Sequence, residues 1–341
     1  MKLSLLSIVD HYPELPRDVG GFYRELLEQA ELGDALGYKA YFVAEHHFHQ
    51  YGAVPNPALF LTAAAQRTRR ILLGPAVAVL PFSNPLTAAE DYAMLDTLSG
   101  GRLVLGIGSG YLKHEFAGYN LDPAEKRERF DENAAILTRL LAGERLTYKG
   151  RFHDLREVAL NVLPLQPRVP TFLAVLRKEI VYHVGRQGVG LFTVPYGSLS
   201  GFDEIAPMIA EFRRGRRESG AAPMPNGLSD HIVALHTYVA ETPAAARAAA
   251  GEAFNRYVAS RLYAKRHEYE DIQRNGLSLM GSVDEVVDRL LALEEAGVDH
   301  VMTLQNFGGI RAQDVARSMR MMMEEVMPRV EARLAERRRA A

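Results

Sequence analysis

Cysteine and tryptophan are both absent from this chain of 341 residues. The lack of cysteine excludes disulfides, thiolate zinc sites, cysteine-ligated iron–sulfur clusters and a cysteine nucleophile. It is compatible with a reducing compartment, and we expect a cytoplasmic protein. An excess of positive charge is missing too, because 40 Lys and Arg residues stand against 42 Asp and Glu residues, a formal net charge of −2. We therefore expect no general surface for nucleic acid or for an anionic membrane.

Long apolar runs are missing as well. A membrane-spanning helix needs about 20 consecutive, mostly apolar residues. The longest charge-free stretches, His46–Gln66 and Ile71–Ala89, both contain prolines and polar residues. The apolar run Leu3–Val9 is too short to be the core of a secretory signal. The sequence therefore predicts neither a membrane anchor nor a leader.

Short apolar runs alternate with longer amphipathic stretches, which predicts strands followed by helices. The eight strand-like runs are Leu3–Val9, Ala40–Ala44, Ile71–Val79, Leu103–Ile107, Thr171–Val175, Gly190–Val194, His231–Val239 and His300–Leu304. Continuous apolar runs are typical of parallel strands that helices cover on both faces. Eight strand-then-helix units in a chain of this length favour an α/β fold, a single (β/α)8 TIM barrel with insertions, over an open doubly wound sheet. We expect residues 1–330 to form one domain and residues 331–341 a charged tail, interpreted as a solvated helix end.

Two segments interrupt the alternation and are predicted to be insertions. In Gly143–Pro170, the stretches Leu146–Tyr148 and Val158–Leu163 are separated by turn-forming residues, which predicts a small hairpin. Pro243–Met280 contains an Ala-rich helix followed by a polar, aromatic stretch. An insertion before the last strand of a barrel lies near the active-site rim if it leaves from the C-terminal side of a strand. We therefore expect Pro243–Met280 to cover the site.

The first candidate site follows the second predicted strand, where Glu45-His46-His47-Phe48 begins. The C-terminal ends of barrel strands face the active site, and imidazole exchanges protons near neutral pH. Because successive residues of a strand point in opposite directions, one of His46 and His47 is expected to face the site. A pair of rim histidines bonded to backbone is the simpler alternative. A metal pair formed by His47 and His49 is another, but it needs further ligands, and we expect no metal ion.

Three other strand ends have features of ligand-binding backbone. The glycines of Gly106–Gly110 allow a phosphate or a flat ring to approach the backbone, although Tyr111 stands where a dinucleotide fingerprint needs Gly or Ala. Arg177, at a strand–helix junction, is suited to hold a phosphate. The small residues Gly74 and Ala76 would let a planar ligand lie against their strand. A glycine-rich turn, a surface arginine and a core strand are the respective simpler interpretations.

Several motifs follow one another in a specific order along the chain. They are Glu45-His46-His47-Phe48, Asn56-Pro57, Val79-Leu80-Pro81 with Asn84-Pro85, Ser99-Gly100-Gly101-Arg102, Gly106-Ile107-Gly108-Ser109-Gly110, Gly281-Ser282, Ala296-Gly297-Val298 and Met327-Pro328. In this order and spacing they resemble the bacterial luciferase-like, flavin-dependent monooxygenases. The resemblance extends over roughly residues 2–330 and implies the luciferase-like form of the TIM barrel.

The resemblance also implies roles for individual residues. His46 stands at the histidine that supports acid–base catalysis in bacterial luciferase, and His47 is its neighbour; both are expected to be catalytic. Ala76 and Val77 stand where the family often has a cis peptide bond against the flavin. The implied flavin contacts are Ala76, Val77, Gly108, Ser109, Gly110, Tyr111, Ala174, Val175, Leu176 and Arg177. The substrate pocket is expected to be walled by Tyr12, Phe48 and Gln305.

The implied activity is oxygenation of a small organic substrate by reduced FMN and O2, through a peroxyflavin. A separate flavin reductase is the implied partner because no nicotinamide-binding domain is visible in the sequence, and a homodimer is implied by the relatives. Two departures argue against light emission: Gly108 replaces a reactive cysteine of bacterial luciferase and Ser109 replaces its phosphate-binding arginine. Arg177, where that enzyme has serine, is the expected replacement cation.

Two alternatives to this activity stay open at this point. The first is a deazaflavin-dependent oxidoreductase of the same superfamily, which would transfer hydride without O2; Glu45-His46-His47 favours FMN. The second is a flavin-binding protein without turnover, against which the presence of both His46 and His47 argues.

Overall fold

A computed structural model of the protein describes residues 1–49, 52–261 and 267–340. The strands are β1 (Lys2–Ser7), β2 (Ala40–Val43), β3 (Leu72–Pro75), β4 (Ala78–Val79), β5 (Leu105–Gly108), β6 (Leu146–Lys149), β7 (Asp154–Val158), β8 (Thr171–Val175), β9 (Gly190–Thr193), β10 (His231–Ala240), β11 (Leu279–Ser282) and β12 (His300–Asn306). The α-helices are α1 (Val19–Leu36), α2 (Pro57–Arg67), α3 (Pro85–Ser99), α4 (Lys113–Gly118), α5 (Lys126–Leu141), α6 (Val181–Arg186), α7 (Pro195–Ser198), α8 (Ile205–Ser219), α9 (Pro243–Ser260), α10 (Tyr269–Arg274), α11 (Val283–Glu295), α12 (Ala312–Met321) and α13 (Met327–Ala340).

The main sheet is parallel and closes into a barrel, which confirms the predicted fold class. Its strand order is β3-β2-β1-β12-β10-β9-β8-β5-β4. The two ends of this order, β3 and β4, are consecutive in the chain, and a parallel bridge between Leu73 and Leu103 joins β3 to the segment before β5. The predicted strand Ile71–Val79 is thus two short strands, β3 and β4, which together occupy the third position of the barrel. β11, which was not predicted, pairs with the C-terminal half of β10.

Burial explains why the apolar runs are strands. Every residue of β10 and of β12 is buried, because the barrel interior covers one face of each strand and the helices cover the other. Helix starts are fixed by side-chain caps. Asn56 and Asn84 each accept a hydrogen bond from the first turn of α2 and α3, and a proline follows each of them at the first helical position. Two of the motifs seen in the sequence are therefore helix starts.

The hairpin predicted in Gly143–Pro170 is present as β6 and β7, but its second strand is Asp154–Val158 rather than Val158–Leu163. A buried glutamate explains the difference. The carboxylate of Glu132 accepts hydrogen bonds from the backbone N–H groups of residues 151, 152 and 153 and so fixes the turn directly after β6. Strand pairing therefore resumes at Asp154.

The charged C-terminal segment continues the last helix. α12 leads through a π-helical stretch, Met322–Val326, into α13. Three arginines of α13 pair with acidic residues of α11: Arg329 with Asp284, Arg333 with Asp288 and Arg337 with Glu295, at 2.7–2.8 Å. The segment is helical and its residues 337–339 are exposed, as expected of a solvated helix end, although Arg333 and Arg337 also pair with α11. No helix in the described part of the chain is long and apolar enough to cross a membrane.

Substitution of Gly74 tests how closely β3 packs against the segment before β5. A Cβ atom at this position of β3 would lie 1.9 Å from the backbone oxygen of Val104. We expect Gly74→Ala to lower the free energy of unfolding by about 3 kcal/mol or more, because backbone cannot move aside as a flexible side chain can. Gly251→Ala, within α9, is the control: its nearest contact would be 3.8 Å away, and alanine favours a helix. Denaturant unfolding of both variants gives the comparison, and equal stabilities would contradict the prediction.

Candidate active site

The C-terminal ends of the barrel strands lie together at one end of the barrel, called here the mouth. β5 pairs with β4 on one side and with β8 on the other. The residues around the start of β4 and those following β5 and β8 are therefore neighbours in space, although they are far apart in sequence. These are the segments for which the sequence predicts flavin contacts.

His46 is buried at the end of β2 and is held by a glutamate. Its Nδ1 lies 3.1 Å from Oε1 of Glu115 in α4, and the same oxygen accepts a hydrogen bond from the backbone N–H of His47 at 2.9 Å. Its ring meets the ring of Tyr111 edge-on, with centroids 6.3 Å apart. Burial lowers the pKa of His46, and Glu115 opposes part of that shift. The imidazole is therefore neutral at pH 7, with Nδ1–H donating to Glu115 and Nε2 able to accept a proton.

His47 points away from His46, as the alternation along a strand predicts. Its Nε2 lies 3.0 Å from Oε1 of Glu45, and its Nδ1 lies 3.1 Å from the hydroxyl of Tyr119. The other oxygen of Glu45 accepts a hydrogen bond from the backbone N–H of Val79. Burial raises the pKa of Glu45, and the hydrogen bond from His47 opposes that shift. His47 faces a cavity of about 260 Å³ between the strand ends and the N-terminal ends of α2 and α3.

Three strand ends form a shallow cradle of backbone. The Ala76–Val77 peptide bond is cis, as the resemblance implied, and both residues are partly exposed. Gly108 lies against Val77, since a Cβ atom on Gly108 would be 2.5 Å from a methyl carbon of Val77. Gly110 has φ +70°, a conformation that favours glycine. At both glycines the missing side chain lets other side chains, Val77 and Val79, pack against the backbone, while Ala76, Val77 and Gly110 stay partly exposed.

Hydrogen-bond donors collect beside this cradle. Within the described residues, no hydrogen bond uses the backbone N–H groups of Ser109, Gly110, Leu176 or Arg177. The Arg177 side chain is exposed at the start of a short helical turn. Donors of this kind, together with a guanidinium, are suited to a phosphate. The remaining predicted flavin contacts, Tyr111, Ala174 and Val175, lie on the same two strand ends.

Two of the predicted substrate-pocket residues lie near the mouth. Tyr12 is buried, and its hydroxyl donates to Oδ2 of Asp10 at 2.8 Å and lies 3.2 Å from the hydroxyl of Ser260 at the end of α9. Phe48 is on the rim, 64% exposed, with its ring 5.3 Å from that of Tyr119. The predicted cover over the mouth is partly described: α9 lies there, whereas residues 262–266 of the insertion are outside the described part of the chain.

The third predicted pocket residue, Gln305, is a correction. Its side chain donates to the hydroxyl groups of Tyr38 and Thr303 and accepts from Ser318 of α12. It therefore lies between the barrel and the surrounding helices instead of lining the pocket. The physical reason is the alternation along β12: Gln305 lies on the same face as Thr303, two residues earlier, and that face is covered by α12.

Four functional candidates were missed by the sequence reasoning. They are Asp10 after β1, Glu115 in α4, Tyr196 after β9 and His236 on β10. Asp10 and Tyr196 directly follow apolar runs, so their positions at strand ends were a usable signal. Nothing local in the sequence shows that Glu115 reaches back 69 residues to His46.

The alternative metal interpretation rested on His47 and His49. Within residues 1–49, 52–261 and 267–340, no group of three or more His, Asp or Glu side chains is placed to hold a metal ion. His47 instead makes the hydrogen bonds to Glu45 and Tyr119 given above.

Comparison with known proteins gives relatives of consistent kind. The 4-hydroxyprotoasukamycin monooxygenase of Streptomyces nodosus subsp. asukaensis is 32% identical over 293 residues, 79% of this chain and 76% of the relative. The oxygenase component of the flavin-dependent trigonelline monooxygenase of Acinetobacter baylyi is 26% identical over 343 residues, 93% and 92% of the two chains. The crystal structure of monooxygenase RslO1 from Streptomyces bottropensis matches with a TM-score of 0.87 and 29% identity, over 96% of this chain and 99% of that one.

Other matches are shorter. An uncharacterized Sinorhizobium fredii protein, y4wF, is 41% identical over 194 residues, so the chain spans 57% of that relative's length. An F420-dependent glucose-6-phosphate dehydrogenase of Amycolatopsis mediterranei is 28% identical over 196 residues, 55% of this chain and 59% of the relative. The family model described as luciferase-like monooxygenase matches residues 1–300. This match covers most of the chain, which therefore belongs to the luciferase-like monooxygenase family.

Proposed function

We propose that the protein is a flavin-dependent monooxygenase that uses reduced FMN and O2 to oxygenate a small organic molecule. Its family and the relatives named as monooxygenases support this. The Acinetobacter relative is named as an oxygenase component, which supports a separate reductase as the source of reduced flavin. The observation that carries the proposal is the placement of unused N–H donors and Arg177 at the ends of β5 and β8, on the side of the mouth where His46 meets Tyr111.

The residues present fit a flat ring with a phosphate tail. The ring would lie against the partly exposed Ala76–Val77 peptide and the segment that follows Gly108. The phosphate would take the N–H groups of Ser109 and Gly110 and the guanidinium of Arg177, a donor set that is chemically matched to an anion. When bound, reduced FMN supplies the electrons that activate O2.

The chain's own tasks are orientation, proton transfer and exclusion of water. Glu115 fixes the ring of His46 by accepting from Nδ1, so Nε2 is the nitrogen that would exchange a proton with a group bound at the mouth. The neighbouring dyad of Glu45 and His47 holds the backbone of β4 through Val79 and so supports the cradle. The aromatic residues of α9 cover part of the mouth and limit access of water.

A homodimer is part of the proposal. The neighbouring helices α2 and α3 expose three large apolar side chains, Leu59, Met94 and Leu98, at 74%, 50% and 49%. Exposed apolar side chains on adjacent helices support an association surface. The cavity beside His47 opens between the same two helices. A molar mass measured by light scattering tests this part, and a monomer at micromolar concentration would contradict it.

The competing candidate is the deazaflavin-dependent oxidoreductase, which the match to an F420-dependent dehydrogenase supports. Equilibrium binding of reduced FMN and of reduced F420, followed by an oxygen-consumption assay with a flavin reductase present, separates the two. We expect the protein to bind reduced FMN more tightly and to consume O2 in a substrate-dependent way. Preference for F420 without oxygen consumption would replace the proposal by the competing one.

Arg177 is expected to hold the phosphate. Loss of one charge-assisted hydrogen bond costs about 1.5–3 kcal/mol, so Arg177→Ala should weaken FMN binding about tenfold or more and leave riboflavin binding unchanged, since riboflavin has no phosphate. Lys178→Ala is the matched control, because the Lys178 ammonium is already bonded to Glu204 at 2.5 Å. Fluorescence quenching of the two flavins measures both affinities. Equal losses for FMN and riboflavin would show that Arg177 does not contact the phosphate.

His46 and Glu115 should control the acid limb of the pH–rate profile. Burial lowers the pKa of His46 below its ordinary value of 6.5, so activity that needs the neutral imidazole is kept at pH 6.5 and is lost only at lower pH. Glu115→Gln removes the partner that favours the protonated form, which lowers that pKa further and moves the acid limb to lower pH. His46→Ala should reduce kcat by about 10²-fold or more.

The control for the pH profile is Glu144→Gln, which removes one negative charge from a surface pair with Arg139. It should leave the profile of kcat/KM in place. A shift of the acid limb to higher pH in Glu115→Gln, or no shift at all, would contradict the assignment of this limb to His46.

A further inference from the structure

The half of the mouth opposite the proposed flavin cradle contains three buried polar atoms without a partner. Among the described residues, Oδ1 of Asp10, the hydroxyl of Tyr196 and Nε2 of His236 make no hydrogen bond. Their residues are 0%, 1% and 1% exposed. A buried polar atom normally has a partner, because its hydration is lost without compensation otherwise. Three such atoms at one side of the mouth indicate a partner outside the described residues.

Two other buried histidines, which lie away from the mouth, each have a hydrogen-bond partner within the chain. His231 and His300 are the first residues of β10 and β12 and so lie at the opposite end of the barrel from the mouth. Nε2 of His231 lies 2.8 Å from the hydroxyl of Thr193, and Nε2 of His300 lies 2.7 Å from that of Ser4. His236 shares their burial and lacks such a hydroxyl. Nδ1 of His300 also has no partner among the described residues, so the contrast with His236 rests on His231.

Four aromatic rings surround His236. Its ring centroid lies 5.3 Å from that of Tyr196, 4.9 Å from Phe254, 4.8 Å from Tyr257 and 5.2 Å from Phe307, and the rings meet at steep angles of 60–88°. Edges and faces of aromatic rings favour another planar ring as a neighbour. Two of these side chains, Phe254 and Tyr257, come from α9, so the insertion forms part of this aromatic wall.

Asp10 adjoins this wall through the segment after β12. Gly308, next to Phe307, donates its N–H to Oδ2 of Asp10 at 2.6 Å, and Tyr12 donates to the same oxygen. Both donors are used on one oxygen, which leaves Oδ1. Burial raises the pKa of Asp10, and the hydrogen bonds from Gly308 and Tyr12 oppose that shift; Oδ1 is able to accept a hydrogen bond from a ligand.

We propose that Asp10, Tyr196 and His236 are substrate-binding residues, and that the substrate class is a flat aromatic molecule bearing uncharged hydroxyl or carbonyl oxygens. The aromatic side chains around His236 would pack against the ring of the substrate, and the three polar atoms would form hydrogen bonds with its oxygen-containing groups. Burial raises the pKa of Tyr196 and lowers that of His236, so both groups are uncharged near pH 7 and complement uncharged oxygens. Arg261, whose guanidinium lies over the ring of Tyr257, is a nearby cation that would favour a carboxylate instead. The inference deepens the proposed monooxygenase function and rests on it for the chemistry that follows binding.

Binding of simple probes tests the inference without turnover. 2-Naphthol and naphthalene share a flat ring system and differ by one hydroxyl, and the chain has no tryptophan to obscure their fluorescence. We expect the flavin-free protein to bind 2-naphthol at least tenfold more tightly than naphthalene, equivalent to about 1.4 kcal/mol. 2-Naphthoate should bind more weakly than 2-naphthol. Equal affinities for 2-naphthol and naphthalene would overturn the proposal, as would tightest binding of 2-naphthoate, which would point to the charge of Arg261 instead.

Two variants locate the preference. Tyr196→Phe and His236→Phe each remove an unpartnered polar atom and keep a ring, so we expect an unchanged or higher Tm. Each should reduce the naphthol-to-naphthalene preference at least threefold while naphthalene affinity stays constant. Tyr41→Phe is the control, since it removes a buried hydroxyl that donates to Leu26 and should leave the preference unchanged. A lower Tm with an unchanged preference in both variants would show that these atoms serve the fold, and would overturn the proposal.

The same titrations separate this inference from the proposed function. Reduced FMN binding is measured independently on each protein. Intact discrimination between the naphthyl probes without binding of reduced FMN rejects the proposed cofactor and retains the aromatic subsite as a binding site. Reduced FMN binding without discrimination retains the cofactor and rejects the subsite.

Discussion

The constraint on which the rest of the structure depends is burial of the barrel strands on both faces. With the interior on one side and the helices on the other, most strand positions admit only apolar groups, so polar side chains gather where strands end. Gln305 of β12 is an exception. Its side chain is polar, and it forms hydrogen bonds with three hydroxyl groups, one on β12, one on α12 and one in the segment before β2. The mouth is different, because there a ligand can take the place of such partners.

The mouth divides into two halves with different chemistry. On the side of β4, β5 and β8 the backbone itself is exposed, with glycines, unused N–H groups and one arginine. On the side of β9, β10 and β12 aromatic rings fill the space around unpartnered polar atoms. An anionic, flat cofactor suits the first half, and an aromatic molecule with uncharged oxygens suits the second. His46 adjoins the first half through Tyr111.

The sequence predicted the barrel well because its strands are continuous apolar runs, a local property. The sequence predicted that the cradle residues around Gly108 and those around Arg177 lie close together. The C-terminal ends of the strands in a parallel barrel lie on one side, however far apart the strands are along the chain. The sequence-based prediction misplaced Gln305 because a position at a strand end does not fix the face of the strand: Gln305 shares the face of Thr303, which α12 covers. It missed Glu115 because a hydrogen bond between distant segments leaves no local pattern. β11 was missed for a similar reason. Its four residues are too few to show a strand pattern of their own, and they form a strand by pairing with β10.

One carboxylate oxygen of Glu115 connects the end of β2 to the segment that follows β5. Oε1 of Glu115 holds both the ring of His46 and the backbone of His47, and Glu115 lies seven residues beyond the last residue of β5 on the same short stretch that carries Ser109 and Gly110. The proposed seat for the phosphate and the residue that anchors the imidazole are thus one continuous piece of chain. The peptide chain fixes the spacing between that seat and Glu115, and one hydrogen bond passes it on to His46, so displacement of the piece by a bound molecule would act on the imidazole through a single contact.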